Sequence, residues 1–124
     1  MFPEGVDGVH AVDWQTLTIA PPGRDLGYFL ATSLHVDDRR AHQDVLVAAY
    51  VDEVRRLGVG DCTVEQCDHE YRLGVLQAPM ITMIGAAYAT AGRSASADAM
   101  FLAMATRACA AIRDLAVFAL VESA

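Results

Sequence analysis

The chain has 124 residues, a net charge of −7, 54% hydrophobic and 20% charged residues, and no lysine, so its nine basic residues are all arginine. That length gives one domain with room for a core, and that apolar content excludes disorder. The acidic balance argues against a nucleic-acid footprint, which needs a basic face. Three cysteines, Cys62, Cys67 and Cys109, make an odd set. With no basic, then apolar, leader at Met1 to Gly8, they are expected to be reduced thiols of a cytoplasmic protein.

Met1 to Pro3 is a short extended piece, and Glu4-Gly5-Val6-Asp7-Gly8 is turn material. Val9 to Trp14 has the apolar residues of a strand, interrupted at Asp13. Together they predict a small β-hairpin over residues 1–14, with Pro3 confining the first strand to an edge. Such a hairpin needs a helical layer or further strands to be stable. A loop over 13–24 follows, closed by Pro21-Pro22-Gly23. Asp13, at a strand end and backed by Trp14, stands where a metal-binding carboxylate would. Asp25, at a helix start, suits a carboxylate that holds backbone amides. Trp14 itself is expected in the core.

The rest is helical. Helix one is predicted over Asp25 to Leu34, with Leu26, Phe29 and Leu30 on one face. Val36-Asp37-Asp38 starts helix two, which runs to Leu57 with Leu46, Tyr50, Val54 and Leu57 inward and Arg39, Arg40, Gln43, Asp44, Glu53 and Arg56 solvated. Gly58 and Gly60 end it. Thr63-Val64-Glu65-Gln66 is a capping box. It opens helix three, which reaches Thr90 with a bend or break near Leu76 caused by Pro79. Ala91 to Ser94 links it to helix four, from Ser96-Ala97-Asp98 to about Val121. The fold class is therefore mainly α with a short N-terminal β-hairpin, an α+β arrangement. Leu73 to Gly92 carries no charge over 20 residues, which is long enough to cross a bilayer. A buried central helix fits it as well, and no membrane partner is expected.

Asp13-Trp14-Gln15 and Gly23-Arg24-Asp25-Leu26 resemble motifs of the aminoglycoside-phosphotransferase and ecdysteroid-kinase-like superfamily, small-molecule kinases of protein-kinase-like fold. In that family a catalytic loop, H-G-D-x-x-x-x-N, precedes two short strands, a hydrophobic-Asp-Trp motif and a G-x-x-x-D-L-A-like helix start. Tyr71 to Gln77 and Ala111 to Leu115 are similar to the helical tail of bacterial members. The resemblance implies a helical C-terminal lobe, Mg²⁺ and ATP as cofactors, and a small-molecule hydroxyl as substrate. It implies Asp13 as a metal ligand and Asp25 as support of the catalytic loop. The catalytic loop, the strand lysine and the rest of the ATP-gripping lobe have no counterpart in these residues. The chain is therefore expected to be the C-terminal part of such a kinase, truncated or assigned a late start codon, and inactive in isolation. The alternative is a non-catalytic helical interaction domain or a homo-oligomer.

Other constellations are weaker. Cys62, Cys67 and His69 lie close together, but a zinc site needs a fourth ligand. Glu65, Asp68, Glu70 and Asp114 are candidates to meet a cationic substrate, with a solvated face as the default. Arg24 is a phosphate contact or, by default, a solvated arginine.

Overall fold

Gly23 opens the first helix of a computed structural model that describes residues 18–89 and 93–122. The described elements are α1 (Gly23–Ser33), α2 (Val36–Arg56), α3 (Val64–Gly74), α4 (Gln77–Tyr88), α5 (Ala95–Asp114) and α6 (Val117–Glu122). No strand occurs among the described residues, so the fold class is all-helical and the α+β expectation is corrected. The helices pack on one another, and they offer no sheet edge that a hairpin would extend. The expected hairpin, residues 1–14, lies outside the described residues.

The element boundaries follow local chemistry. Thr63 caps α3, its side-chain oxygen accepting from the Gln66 N–H at 3.1 Å. The Gln66 side chain does not return to the cap; it points to Glu70 Oε1 at 3.4 Å, so half of the capping box forms. The expected break near Leu76 is present: α3 ends at Gly74, and α4 starts at Gln77. Pro79 sits in the first turn of α4, where its missing N–H costs no helical bond. The uncharged stretch from Leu73 is thus divided, and α4, at 12 residues and about 18 Å, is too short to cross a bilayer. Ala116, at φ 47°, breaks the last predicted helix into α5 and α6. Gly58, at φ 99°, ends α2, and the Val59 N–H closes back on the Val54 carbonyl at 3.2 Å.

The core is Leu30 and Ala31 of α1, Val47 and Val51 of α2, Cys67 and Tyr71 of α3, and Ala108, Ala111 and Leu115 around the end of α5, joined by Val75, Ala78 and Val117. The inward face of α2 matches the predicted one in part: Tyr50 and Val54 pack half-buried against the core, whereas Leu46 is exposed. Arg39 is buried and Gln43 half-buried, and with Val47 and Val51 they form a stripe at steps of four residues, while Leu57 is exposed. The Arg39 charge explains the rotation. It pairs with Asp114 of α5 and donates to Gln43, which also accepts from the Tyr71 hydroxyl at 3.1 Å. Arg40 grips the same carboxylate through Nε at 2.8 Å and a terminal nitrogen at 3.0 Å. A polar node therefore ties α2, α3 and α5 beside the apolar core.

Candidate functional site

The sequence-level site centres on the entry to α1, and the structure fixes that entry from three sides. α1 crosses α3 with no side chain between the two backbones. A Cβ on Gly23 would lie 2.4 Å from the Tyr71 nitrogen, and one on Gly27 would lie 2.7 Å from the Tyr71 carbonyl oxygen. From the other helix, a Cβ on Gly74 would lie 2.8 Å from the Arg24 Cα. Gly23 and Gly27, four apart, and Gly74 opposite them are thus required by close approach rather than by turn geometry.

Side chains then hold the first turn. The Gly23 N–H donates to Glu70 Oε2 at 3.3 Å, placing a carboxylate at the positive end of α1. Arg24 Nε donates to Gln77 Oε1 at 2.7 Å, and Gln77 Nε2 returns to the Arg24 carbonyl at 2.6 Å. Pro22 carries the third contact, its carbonyl facing the Tyr50 hydroxyl at 3.5 Å. Beside this clamp runs an open groove of about 420 Å³, walled by Pro21, Leu73, Leu76 and Met80 and edged by Arg24, Glu70 and Gln77.

Asp25 is exposed in the first turn of α1 and takes no hydrogen bond or ion pair among the described residues. Asp13 and Trp14 lie outside the described residues. Arg24 is half-buried on Gln77 rather than free in solvent. Of the acidic candidates, Glu70 caps α1, Asp114 is held by Arg39 and Arg40, and Asp68 pairs with Arg72 at 2.7 Å. Glu65 is exposed and shares the rim of a shallow hollow with Asp44 and Asp68. The hydrogen bonds from Arg40, helped by Arg39, hold the Asp114 carboxyl below its ordinary range against the opposing effect of burial.

Cys62 and Cys67 are buried while His69 is exposed, so the three do not converge. Burial pushes the Cys67 thiol up to about 11, the behaviour of a core residue rather than a thiolate ligand. No three His, Cys, Asp or Glu side chains are grouped to hold a metal ion among the described residues. Those residues therefore do not fit a Mg²⁺ centre by themselves. Gln77, Gly74 and the buried Arg39 were missed at the level of sequence. The spacing of Gly23 and Gly27 was the available signal for the helix crossing; no signal marked Arg39.

Comparison with protein families matches residues 3–58 to the Ecdysteroid kinase-like family. The match includes Asp13, Asp25 and the glycine that ends α2, and covers less than half of the chain. Over these residues the sequence is similar to that family, in agreement with the resemblance carried by Asp13-Trp14-Gln15 and Gly23-Arg24-Asp25-Leu26. The stretches Tyr71 to Gln77 and Ala111 to Leu115 lie beyond it. Comparisons with curated proteins and with solved structures give no match.

Proposed function

We propose that the chain contributes the C-terminal helical part of an ATP- and Mg²⁺-dependent kinase that phosphorylates a hydroxyl of a small molecule. The family match across both aspartates carries this reading. Asp13 is assigned the metal, whose role would be to neutralise phosphate charge, and Asp25 the support of a catalytic loop. The clamp on α1 suits that division of labour. Glu70, Gln77 and Tyr50 hold the backbone of the first turn that carries Asp25, and Asp25 is exposed there. The 124 residues contain no lysine to grip phosphates and no His-Gly-Asp with a following Asn. By itself the chain is expected to give no ATP turnover. The test joins this chain to the lobe and catalytic loop of an ecdysteroid kinase-like protein and follows phosphoryl transfer to a panel of hydroxyl compounds. Activity that vanishes in Asp13→Ala supports the reading; a fusion that works equally well with Asp13→Ala sinks it.

A second reading, a self-associating cytoplasmic helical domain, draws on the apolar residues left outside the core. Met80, Met83, Ile84 and Tyr88 of α4 and Met100 and Leu102 of α5 are exposed. Exposed apolar area of this kind drives association. α5, at 20 residues, is also long and apolar enough to cross a membrane by length and composition, with 17% of its most apolar window buried.

A further inference from the structure

A pocket of about 450 Å³ opens between the end of α1 and the middle of α5, lined by Tyr28 and Ser33 from one helix and Met100, Ala103, Met104 and Arg107 from the other. We propose that it binds an amphipathic monocarboxylate, with the carboxylate on Arg107 and an unbranched apolar chain along Met100 and Met104. The inference does not depend on the kinase reading.

Arg107 supplies the charge. Its Nη1 donates to the Thr32 and Ser33 carbonyls at 3.0 and 3.1 Å, closing the C-terminal end of α1. Yet it pairs with no carboxylate among the described residues, in a chain with 16 acids to nine arginines. The two acids of α5 are taken elsewhere, Asp98 by Arg93 and Asp114 by Arg39 and Arg40. No acid lines the pocket. The end of a helix carries only about half a negative charge, so α1 offsets part of the guanidinium and leaves the rest for a ligand. The Nε edge and the second terminal nitrogen have no acceptor among the described residues, and that edge of the fork is the one a carboxylate can take with both oxygens. A single cation in a chain of net charge −7 suits a monoanion better than a dianion. The apolar part of the lining selects the rest of the ligand. Met100 and Met104 stand four apart, on the face of α5 that also carries Arg107, and Met100 is 50% exposed. Flexible thioether side chains adapt to an unbranched chain. A bare anion would leave this wall wet, and a neutral chain would leave the guanidinium edge unpaired. The volume lies within the about 300–1,000 Å³ usual for small-molecule pockets.

Decanoate is the probe, titrated into the whole 124-residue protein with its methionine methyl groups isotopically labelled. Saturable shifts are expected at the Met100 and Met104 methyls, with Met80 and Met83 of α4 unmoved. Decanol has the chain without the charge, and acetate the charge without the chain. Each should bind about tenfold more weakly than decanoate, or worse, as the loss of a charged hydrogen-bonded pair or of the apolar contact predicts. Arg107→Gln keeps a donor for the α1 carbonyls and should weaken decanoate by about tenfold while leaving decanol as it was. Met100→Glu, at an exposed lining position, should abolish decanoate binding with helical circular dichroism retained, and it keeps the test decisive where Arg107→Gln fails to fold. Equal affinity for decanoate and decanol overturns the proposal. So do methyl shifts that are absent or confined to Met80 and Met83, and so does decanoate binding that survives Met100→Glu.

Discussion

Asp114 shows what a single carboxylate does in this molecule. It accepts from two arginines of α2, one of them buried, and so neutralises the one guanidinium that solvent does not reach. Asp114→Ala would leave Arg39 buried without its partner. A loss of about 3 kcal/mol in urea unfolding is expected, at the low end for a broken buried pair because the Asp114 side chain is 25% exposed. Replacing both members, as Arg39→Met with Asp114→Leu, should recover most of that loss. The same group gives a pH signature. Its folded-state pKa is depressed below the ordinary 3.8, so its stabilisation is complete above that value. It is lost as pH falls through the folded value, and Asp114→Asn should flatten the acid limb of stability below about pH 4. None of this was visible in a string of letters. Arg39 beside Arg40 has the look of a solvated pair, and only a partner from a distant helix turns one of them inward.

At the scale of elements, the crossing of α1 and α3 is the least forgiving contact. Gly27→Ala would drive a methyl group into the Tyr71 carbonyl at 2.7 Å and the Gly74 backbone at 2.8 Å, and none of these atoms can rotate away. The two helices must separate, at a cost of about 3 kcal/mol, the upper range for overpacking. Gly60→Ala meets nothing within 4 Å and should change the unfolding midpoint little. The positions of the helices were largely legible because their punctuation is chemical: Pro22-Gly23, Gly58, Thr63 and Ser94 lie at or next to element ends. The division near Val75 was legible through Pro79, whereas that at Ala116 was not, since a helix period runs through it without a strong breaker. Of the candidate site, Asp13 lies outside the described residues, while the helix start around Asp25 was legible from Pro22-Gly23. The clamp that Glu70 and Gln77 build on α1 was not, because its partners are some 50 residues apart (47 and 53) and no local pattern links them.

Across the described residues, charge is shared unevenly between helices. α2 carries a dense run of arginines and acids, whereas α4 has no charged residue over its 12 positions. The exposed side chains of α4 recur at Met80, Ile84 and Tyr88, a stripe along one side of the helix. If that stripe joins two copies, light scattering should show mass rising with concentration, and Ile84→Glu should return the protein to a monomer with its helix content intact. A monomer at all concentrations would remove the second reading and leave the kinase-derived one standing alone.

The glycine crossing has a dynamic corollary. Helix ends ordinarily fray, and the first amides of α1 would normally exchange with solvent within the quickest class. Here no rotamer lies between the backbones of α1 and α3, so neither helix can loosen without lifting off the other. The Gly23 and Gly27 amides should therefore exchange deuterium together with those of Tyr71 and Gly74, as one slow cooperative unit.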